Sequence, residues 1–211
     1  MADKTDFLHL LVSHLCHELV SPVGAIGNGV ELLEEMGTLD EDALDLIAQS
    51  SRTAAAKLRL LRVVYGSAGL SADFRLPDAQ KALADLFCID AKLMLDWQVS
   101  GPLDLATGAV QLVSGLVLLA ATCLPRGGTI AVSAAPAGAG AALTVHGRGV
   151  GARLPEEIRL ALTGEGTPDH KTVHAHFCAW AATRLAIAVA ARAVPPDAVE
   201  FSAILPFPAE A

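Results

Sequence analysis

A histidine followed directly by a glutamate, His17-Glu18, lies in an apolar stretch near the start of the chain and has side chains suited to group transfer. An imidazole with an ordinary pKa of about 6.5 is largely neutral near pH 7, so one ring nitrogen carries a free electron pair. A neighbouring carboxylate can orient the ring or accept its proton. The pair therefore predicts a phosphoryl acceptor at His17, with Glu18 in support. The alternative that His17 is simply one of seven histidines, on a solvated helical face, stays open.

Two helices are predicted to position this pair. Apolar residues recur at steps of three and four from Leu8 to Leu33 and again from Leu44 to Tyr65, which is typical of amphipathic helices. Asp40 lies between the two runs, where its carboxylate can cap the second helix, and Gly66 and Gly69 can end that helix. The order predicts an antiparallel helical hairpin.

His17 should lie on the outside of that hairpin. It is two residues from the seam positions Leu15 and Leu19, about 200° around the helix from each. Pro22 lacks an amide hydrogen, so it leaves the backbone carbonyl of Glu18 without a helical donor and should bend the helix. We therefore expect a solvated histidine just before a bend.

Several small or polar residues near His17 are candidates for contacting a partner. Ser21, Gly24 and Asn28 follow on the same face, and Pro22 and His14 lie close by. Two alternatives stay open, because the glycines could serve packing within the hairpin and His14 could simply be solvated. We predict that the docking surface consists of His14, Ser21, Pro22, Gly24 and Asn28.

An isolated helical hairpin cannot cover both of its apolar sides. Pairing with a second copy would cover them and make a four-helix bundle. We therefore expect a homodimer.

After Ser71 the pattern changes to shorter elements. The periodicities predict helices over 77–87, 104–124, 155–162 and 172–186, and strands over 93–99, 129–135, 141–145 and 198–205. This order indicates helices packed against a mixed sheet. The predicted fold class is thus α+β, with a helical hairpin domain over 1–70 and a second domain over 71–211.

Composition excludes several function classes. The formal net charge of −8, without a basic stripe, argues against nucleic acid as a partner. The apolar stretch 106–124 is interrupted by polar residues and barely reaches membrane-spanning length, so we expect a cytoplasmic protein without a membrane segment. The four cysteines are predicted to be buried and unpaired, and His170, His174 and His176 to be scattered surface histidines and not metal ligands.

The sequence around His17 resembles a known family. His-Glu-x-x-x-Pro is similar to the H-box of sensor histidine kinases, and the string from Leu15 to Ile26, with Asn28-Gly29 and Glu31-Leu32-Leu33 after it, resembles alphaproteobacterial histidine phosphotransferases of the ChpT type. The resemblance extends more loosely over most of the chain. It implies a dimeric four-helix bundle followed by a degenerate histidine-kinase-type ATPase α/β sandwich.

The resemblance also implies a lost nucleotide site. Ser114 and Leu118 stand where a kinase places asparagines that hold magnesium and phosphate, and Val145 begins the segment that replaces the kinase Asp-x-Gly-x-Gly turn. Gly164-Glu165-Gly166 is predicted to be a plain loop. The implied activity is therefore phosphotransfer between receiver domains, without a cofactor of its own and with Mg²⁺ supplied by the receiver.

The partners implied are the receiver domain of a hybrid histidine kinase and response regulators of the CtrA-like and CpdR-like cell-cycle type. Two other interpretations stay open. The chain could bind receivers without chemistry, or it could be an active histidine kinase with ligands placed elsewhere.

Overall fold

The N-terminal part of the chain is a pair of long helices. The computed structural model describes residues 4–36, 40–67, 70–71, 74–89, 91–99 and 103–208. Helix α1 spans Lys4–Met36 and helix α2 spans Glu41–Val64. Asp40 caps α2, since its Oδ1 accepts a hydrogen bond from the Ala43 amide at 2.8 Å, as predicted. The predicted turn at 37–39 and Gly69 lie outside the described residues.

The C-terminal end of α2 is bound by a side chain from the second part of the chain. The last carbonyls of a helix have no donor within it. Here the buried amide of Gln111 donates to the Val64 carbonyl at 2.8 Å and lies 3.5 Å from the Gly66 carbonyl. The hairpin is therefore anchored at this end to a helix that follows much later in the sequence.

The rest of the chain forms a five-stranded mixed sheet with helices. Its elements are α3 (Leu76–Ile89), β1 (Leu93–Val99), α4 (Ala109–Thr122), β2 (Gly128–Ala137), β3 (Gly140–Arg148), α5 (Glu156–Leu162), α6 (Val173–Arg184), β4 (Ala190–Val194) and β5 (Ala198–Pro206). The strand order is β1-β2-β3-β5-β4. Only β1 and β2 pair in parallel, and the other neighbours are antiparallel. The α+β class with a mixed sheet is confirmed.

One face of the sheet carries the core. Helix α4 packs on β2, β3 and β5, α3 packs beside β1, and α5 beside β4. The strand residues alternate accordingly, and Ile130, Val145 and Phe201 are fully buried. Leu60 and Val64 of α2 belong to the same cluster of buried residues. The end of the hairpin and the sheet thus share one core across the predicted boundary at 70/71.

Two elements differ from the sequence prediction. Helix α4 begins at Ala109 and not at residue 104, because Gly108 has a left-handed φ of 91° and the Ala106 amide donates to the Pro206 carbonyl at 2.9 Å. The short strand β4 was not predicted, since Ala190–Val194 is rich in alanine and lies at the sheet edge. The remaining predicted helices and strands are present with small shifts at their ends.

The cysteine prediction is half wrong. Cys123 and Cys178 are buried, and burial raises the pKa of these thiols to about 11 and about 12. Cys16 and Cys88 are exposed, because each lies on an outward face of its helix. All four thiols are free, as predicted.

Helix α1 exposes a long apolar face. Its segment Thr5–Glu35 is long and apolar enough to cross a membrane by length and composition, whereas most of the apolar stretch 106–124 is the buried helix α4. One such helix near the N-terminus is weak evidence for a span. We call the exposed apolar residues that share one side of each helix the outer face: Leu8, Val12, Val20, Val23 and Val30 on α1, and Leu44 and Leu58 on α2.

Candidate functional site

His17 and Glu18 line a cleft between the hairpin and the C-terminal part of the chain. The cleft has a volume of about 880 Å³. Its floor is apolar and includes Leu60, Phe87 and Leu118, from α2, α3 and α4. The side chain of His17 is exposed, as predicted. The candidate nucleophile is therefore an exposed side chain that also lines this cleft.

Glu18 is held by a lysine from the other helix of the hairpin. Lys57 Nζ lies 3.0 Å from Glu18 Oε2 and also donates to the Glu18 backbone carbonyl at 3.1 Å. In a regular helix that carbonyl would accept from the amide of residue 22, and Pro22 has no amide hydrogen. The Lys57 ammonium thus supplies the donor that Pro22 lacks and binds the carboxylate as well.

A second contact joins the hairpin to α6. His174 was predicted to be a surface histidine, which is wrong, because only 6% of it is exposed. Its Nε2 lies 2.9 Å from the Gly115 carbonyl, and a carbonyl can only accept, so Nε2 carries the proton. The other nitrogen, Nδ1, then accepts from the Tyr65 hydroxyl. Both ring nitrogens are therefore engaged in hydrogen bonds.

His14 completes this contact. Its ring stacks on that of His174, with centroids 6.1 Å apart and planes at 18°, and meets Tyr65 edge-on at 5.9 Å. We call these three residues the aromatic bridge. His14 is therefore half-buried and not simply solvated, one turn before His17.

Burial sets the protonation of the aromatic bridge. It lowers the pKa of His174 to about 4, against the opposing effect of the hydrogen bond to Gly115. It also lowers the pKa of His14, against the attraction of Glu18, and raises the pKa of Tyr65 above its ordinary value. All three rings are therefore neutral at pH 7, which suits an interior contact.

The loop before α6 forms the opposite wall of the cleft. Asp169 fixes this loop, because its Oδ1 accepts from the amides of Lys171 and Thr172 and from the Thr172 hydroxyl. The hydroxyl bond is the main cause that lowers the pKa of Asp169. The exposed side chains of His170 and Lys171 are thereby presented to the cleft.

The cleft carries a small excess of positive charge, whereas the chain as a whole has a formal net charge of −8. Within the described ranges its charged side chains are those of Lys57, Lys171 and Glu18. Lys57 is paired with Glu18, so the excess is that of Lys171, which favours an acidic partner or a phosphoryl group.

The predicted docking residues fall into two groups. Ser21, Gly24 and Asn28 are exposed on α1. Pro22 is buried, so the prediction that it lies on the docking surface is wrong. Its effect is indirect, because it cannot bond to the Glu18 carbonyl, which accepts from Lys57 instead. Of the glycines, Gly29 serves packing, because a Cβ there would lie 2.6 Å from Ile47 Cγ1.

The positions that the resemblance assigned to nucleotide binding carry no ligand groups. Ser114 is fully buried and donates to the Val110 carbonyl of its own helix at 2.9 Å. Val145 is fully buried in β3, and Leu118 lies on the apolar floor of the cleft. Gly164–Gly166 lies in a loop, as predicted. In the part of the chain that the structure describes, no three histidine, cysteine or acidic residues are grouped to hold a metal.

These features define a protein built like the core of a histidine kinase, in which a helical hairpin carries an exposed histidine next to an ATPase-like α/β domain. Residues 76–196 match the model of a family described as the histidine phosphotransferase C-terminal domain. The chain belongs to that family.

Known relatives support the same assignment. The chain is 42% identical over 125 residues to the protein phosphotransferase ChpT of Brucella abortus (strain 2308), and the match covers 58% of each protein. The chain thus spans less than two thirds of that relative. A solved structure of a bacterial phosphotransferase superposes with a TM-score of 0.84 at 30% identity, covering 96% of this chain and 98% of the other.

A histidine kinase is similar in fold alone. The Acinetobacter baumannii histidine kinase AdeS superposes with a TM-score of 0.50 at 11% identity, over 90% of this chain and 98% of that one. The arrangement of hairpin and sheet is therefore shared with kinases.

Proposed function

We propose that this chain is a histidine phosphotransferase of a multistep phosphorelay. His17 accepts a phosphoryl group from the aspartyl phosphate of one receiver domain and passes it to the aspartate of another. The observation that carries the proposal is the exposed imidazole of His17 in the cleft between the hairpin and the C-terminal part of the chain, directly before a glutamate that is bound by Lys57. Membership of the histidine phosphotransferase family supports it.

The chemistry needs one nucleophile from this chain. A ring nitrogen of His17 attacks the phosphorus in line, and the bond from phosphorus to the aspartate oxygen breaks with its electron pair, leaving a carboxylate. The ring gains positive charge as the nitrogen–phosphorus bond forms. We assign to Glu18 the role of accepting the hydrogen of the other ring nitrogen and so stabilising that charge. The return step reverses these events on the second receiver.

The phosphoryl donor in this proposal is a receiver and not ATP. Ser114 and Val145 are buried among apolar residues and Leu118 has no ligand atom, which supports the loss of nucleotide binding and of autokinase activity. Mg²⁺ would be held in the acidic pocket of the receiver. The excess positive charge that Lys171 gives the cleft would favour the approach of such a pocket.

A second copy of the chain is the proposed cover for the outer face. Seven large apolar side chains on α1 and α2 make up that face, and a group of exposed apolar side chains of this kind is typical of an interaction surface. Two hairpins would bury it in a four-helix bundle. In this proposal the protein is cytoplasmic, and the apolar side chains of α1 contact a second copy of the chain and not a membrane.

The partners proposed from the ChpT resemblance are a hybrid-kinase receiver and regulators of the CtrA-like and CpdR-like type. Their acidic pockets would approach His17 over Ser21, Gly24 and Asn28, which are exposed on the same helix. His14 is available only at its exposed edge, because its ring packs in the aromatic bridge.

The test is phosphotransfer from a receiver labelled with ³²P on aspartate, in the absence of nucleotide. Wild type and His9→Gln, which replaces another exposed histidine of α1, should acquire acid-labile label, and His17→Gln should acquire none. A receiver that binds wild type without transferring label would identify a binding module instead. Label that appears from ATP alone would identify an active kinase.

A further inference from the structure

We propose that Lys57 is a positioning residue for phosphotransfer, acting on His17 through Glu18. The inference rests on the proposed function of His17. It deepens that proposal by assigning a role to a residue on the other helix of the hairpin.

Lys57 contacts Glu18 at two points. A single ammonium group binds two atoms of one residue, the carboxylate Oε2 of Glu18 at 3.0 Å and its backbone oxygen at 3.1 Å. An exposed ion pair between two flexible side chains is usually loose. Here the backbone carbonyl cannot rotate away, so it anchors the ammonium, and the ammonium in turn fixes the carboxylate.

Pro22 is the reason that this carbonyl is open to Lys57. The Glu18 carbonyl is open to Lys57 because Pro22 cannot donate to it. A proline in the interior of a helix is costly, and this one frees the carbonyl of the residue directly after the nucleophile. The proline, the lysine and the glutamate therefore act as one unit that sets the backbone and the side chain next to His17.

Glu18 must be held in place if it is to act on His17. An acid–base group contributes only when it is held within reach of the proton it exchanges. Glu18, His17 and Lys57 all line the same cleft, and Lys57 and Glu18 are half-buried there, with 28% and 37% of their side chains exposed. Without Lys57, the carboxylate would sample rotamers that face solvent and would stabilise the charged ring of His17 less often.

The experiment measures single-turnover transfer from labelled receiver to Lys57→Met, Glu18→Gln and the double variant. We expect about a tenfold lower rate at saturating receiver for each single variant, with half-saturation within about twofold of wild type. The double variant should be no slower than the slower single variant, since both changes remove the same effect. Lys57→Arg should recover most of the rate. The matched control is Lys81→Met, on an exposed position of α3, which should transfer like wild type.

A further variant separates the carboxylate from the carbonyl. Pro22→Ala restores an amide that can bond to the Glu18 carbonyl, so in Lys57→Met/Pro22→Ala only the carboxylate lacks its partner. The inference requires that this double variant stays slow. A return to the wild-type rate would show that Lys57 merely braces the backbone, and would overturn the positioning role.

A small phosphoryl donor tests the role of Lys57 without any receiver docking. Phosphoramidate can phosphorylate an accessible histidine without docking, and its reaction with His17 should also be about tenfold slower in Lys57→Met. Equal rates for wild type and Lys57→Met in this assay would overturn the inference. Failure of wild type with every receiver would instead count against the proposed function, whatever phosphoramidate shows. Unchanged thermal melting of the variants excludes loss of fold as the cause of a slow rate.

Discussion

The aromatic bridge predicts an acid sensitivity that can be assigned to His174. Its pKa is about 4 in the folded protein, because it is buried, and about 6.5 in an unfolded chain. Above pH 6.5 both states hold it neutral, so it does not affect the pH dependence of stability. Between pH 6.5 and pH 4 the unfolded state binds a proton that the folded state excludes, and stability falls.

The size of the effect follows from the two pKa values. At pH 5 the proton bound by the unfolded chain lowers the free energy of unfolding by about 2 kcal/mol, and the full loss below pH 4 is about 3 kcal/mol. His14 packs on His174, and its pKa is also lowered by burial, so it adds to the loss as the pH falls below 6.5. The carboxylates of the chain also change the free energy of unfolding in acid, and a comparison of wild type with a His174 variant subtracts their effect.

Urea unfolding of wild type and His174→Gln at pH 7.5 and pH 5 isolates the contribution. Glutamine does not titrate, so the stability advantage of wild type over the variant should shrink by about 2 kcal/mol between the two pH values. His9→Gln, at an exposed position of α1, should keep the wild-type slope. An advantage that does not change with pH would refute the argument that His174 is buried as the neutral ring.

Two further outcomes test the anchoring of α2 and the outer face. Gln111→Leu should lower the free energy of unfolding by about 1–3 kcal/mol, because the Val64 carbonyl stays buried without its donor. Urea unfolding measures this loss. The control Gln49→Leu, at an exposed position of α2, should change the free energy of unfolding by less than about 0.5 kcal/mol. Leu58→Asp should turn a dimer into a folded monomer in sedimentation velocity, because this leucine is 50% exposed on the outer face, whereas Met94→Asp on β1, which is 66% exposed, should leave the dimer intact. A monomeric wild type at tens of micromolar would count against the bundle.

The fold was largely predictable because its signals are local. The steps of three and four in α1 and α2 and the alternation in β1 and β5 are set by residues adjacent in sequence. The exceptions are places where distant contacts decide. The start of α4 depends on the bond from Ala106 to Pro206, and β4 exists because Ala190–Val194 pairs with β5, although its alanines have little intrinsic strand preference.

Of the candidate site, only His17 and Glu18 were predictable from the sequence. His17 and Glu18 are neighbours in sequence, so their pairing is visible without a structure. Lys57 meets Glu18 across a separation of 39 residues, and Tyr65 meets His174 across 109. Which lysine faces the free carbonyl depends on the register between α1 and α2, and which histidine is buried depends on how α6 packs. The signal that could have been used was the unpaired Glu18 carbonyl before Pro22, which requires a donor from outside its own helix.

The shared core at the end of α2 bears on the motion this protein needs. A kinase must carry phosphate from a nucleotide site to its histidine, and so requires a hinge between the two. Here Leu60 and Val64 lie in the core of the sheet, and Gln111 is bonded across the same junction. His17 therefore cannot move far from the C-terminal part of the chain unless this shared core comes apart. The proposed phosphotransfer requires no such movement, because its phosphoryl donor is a separate protein.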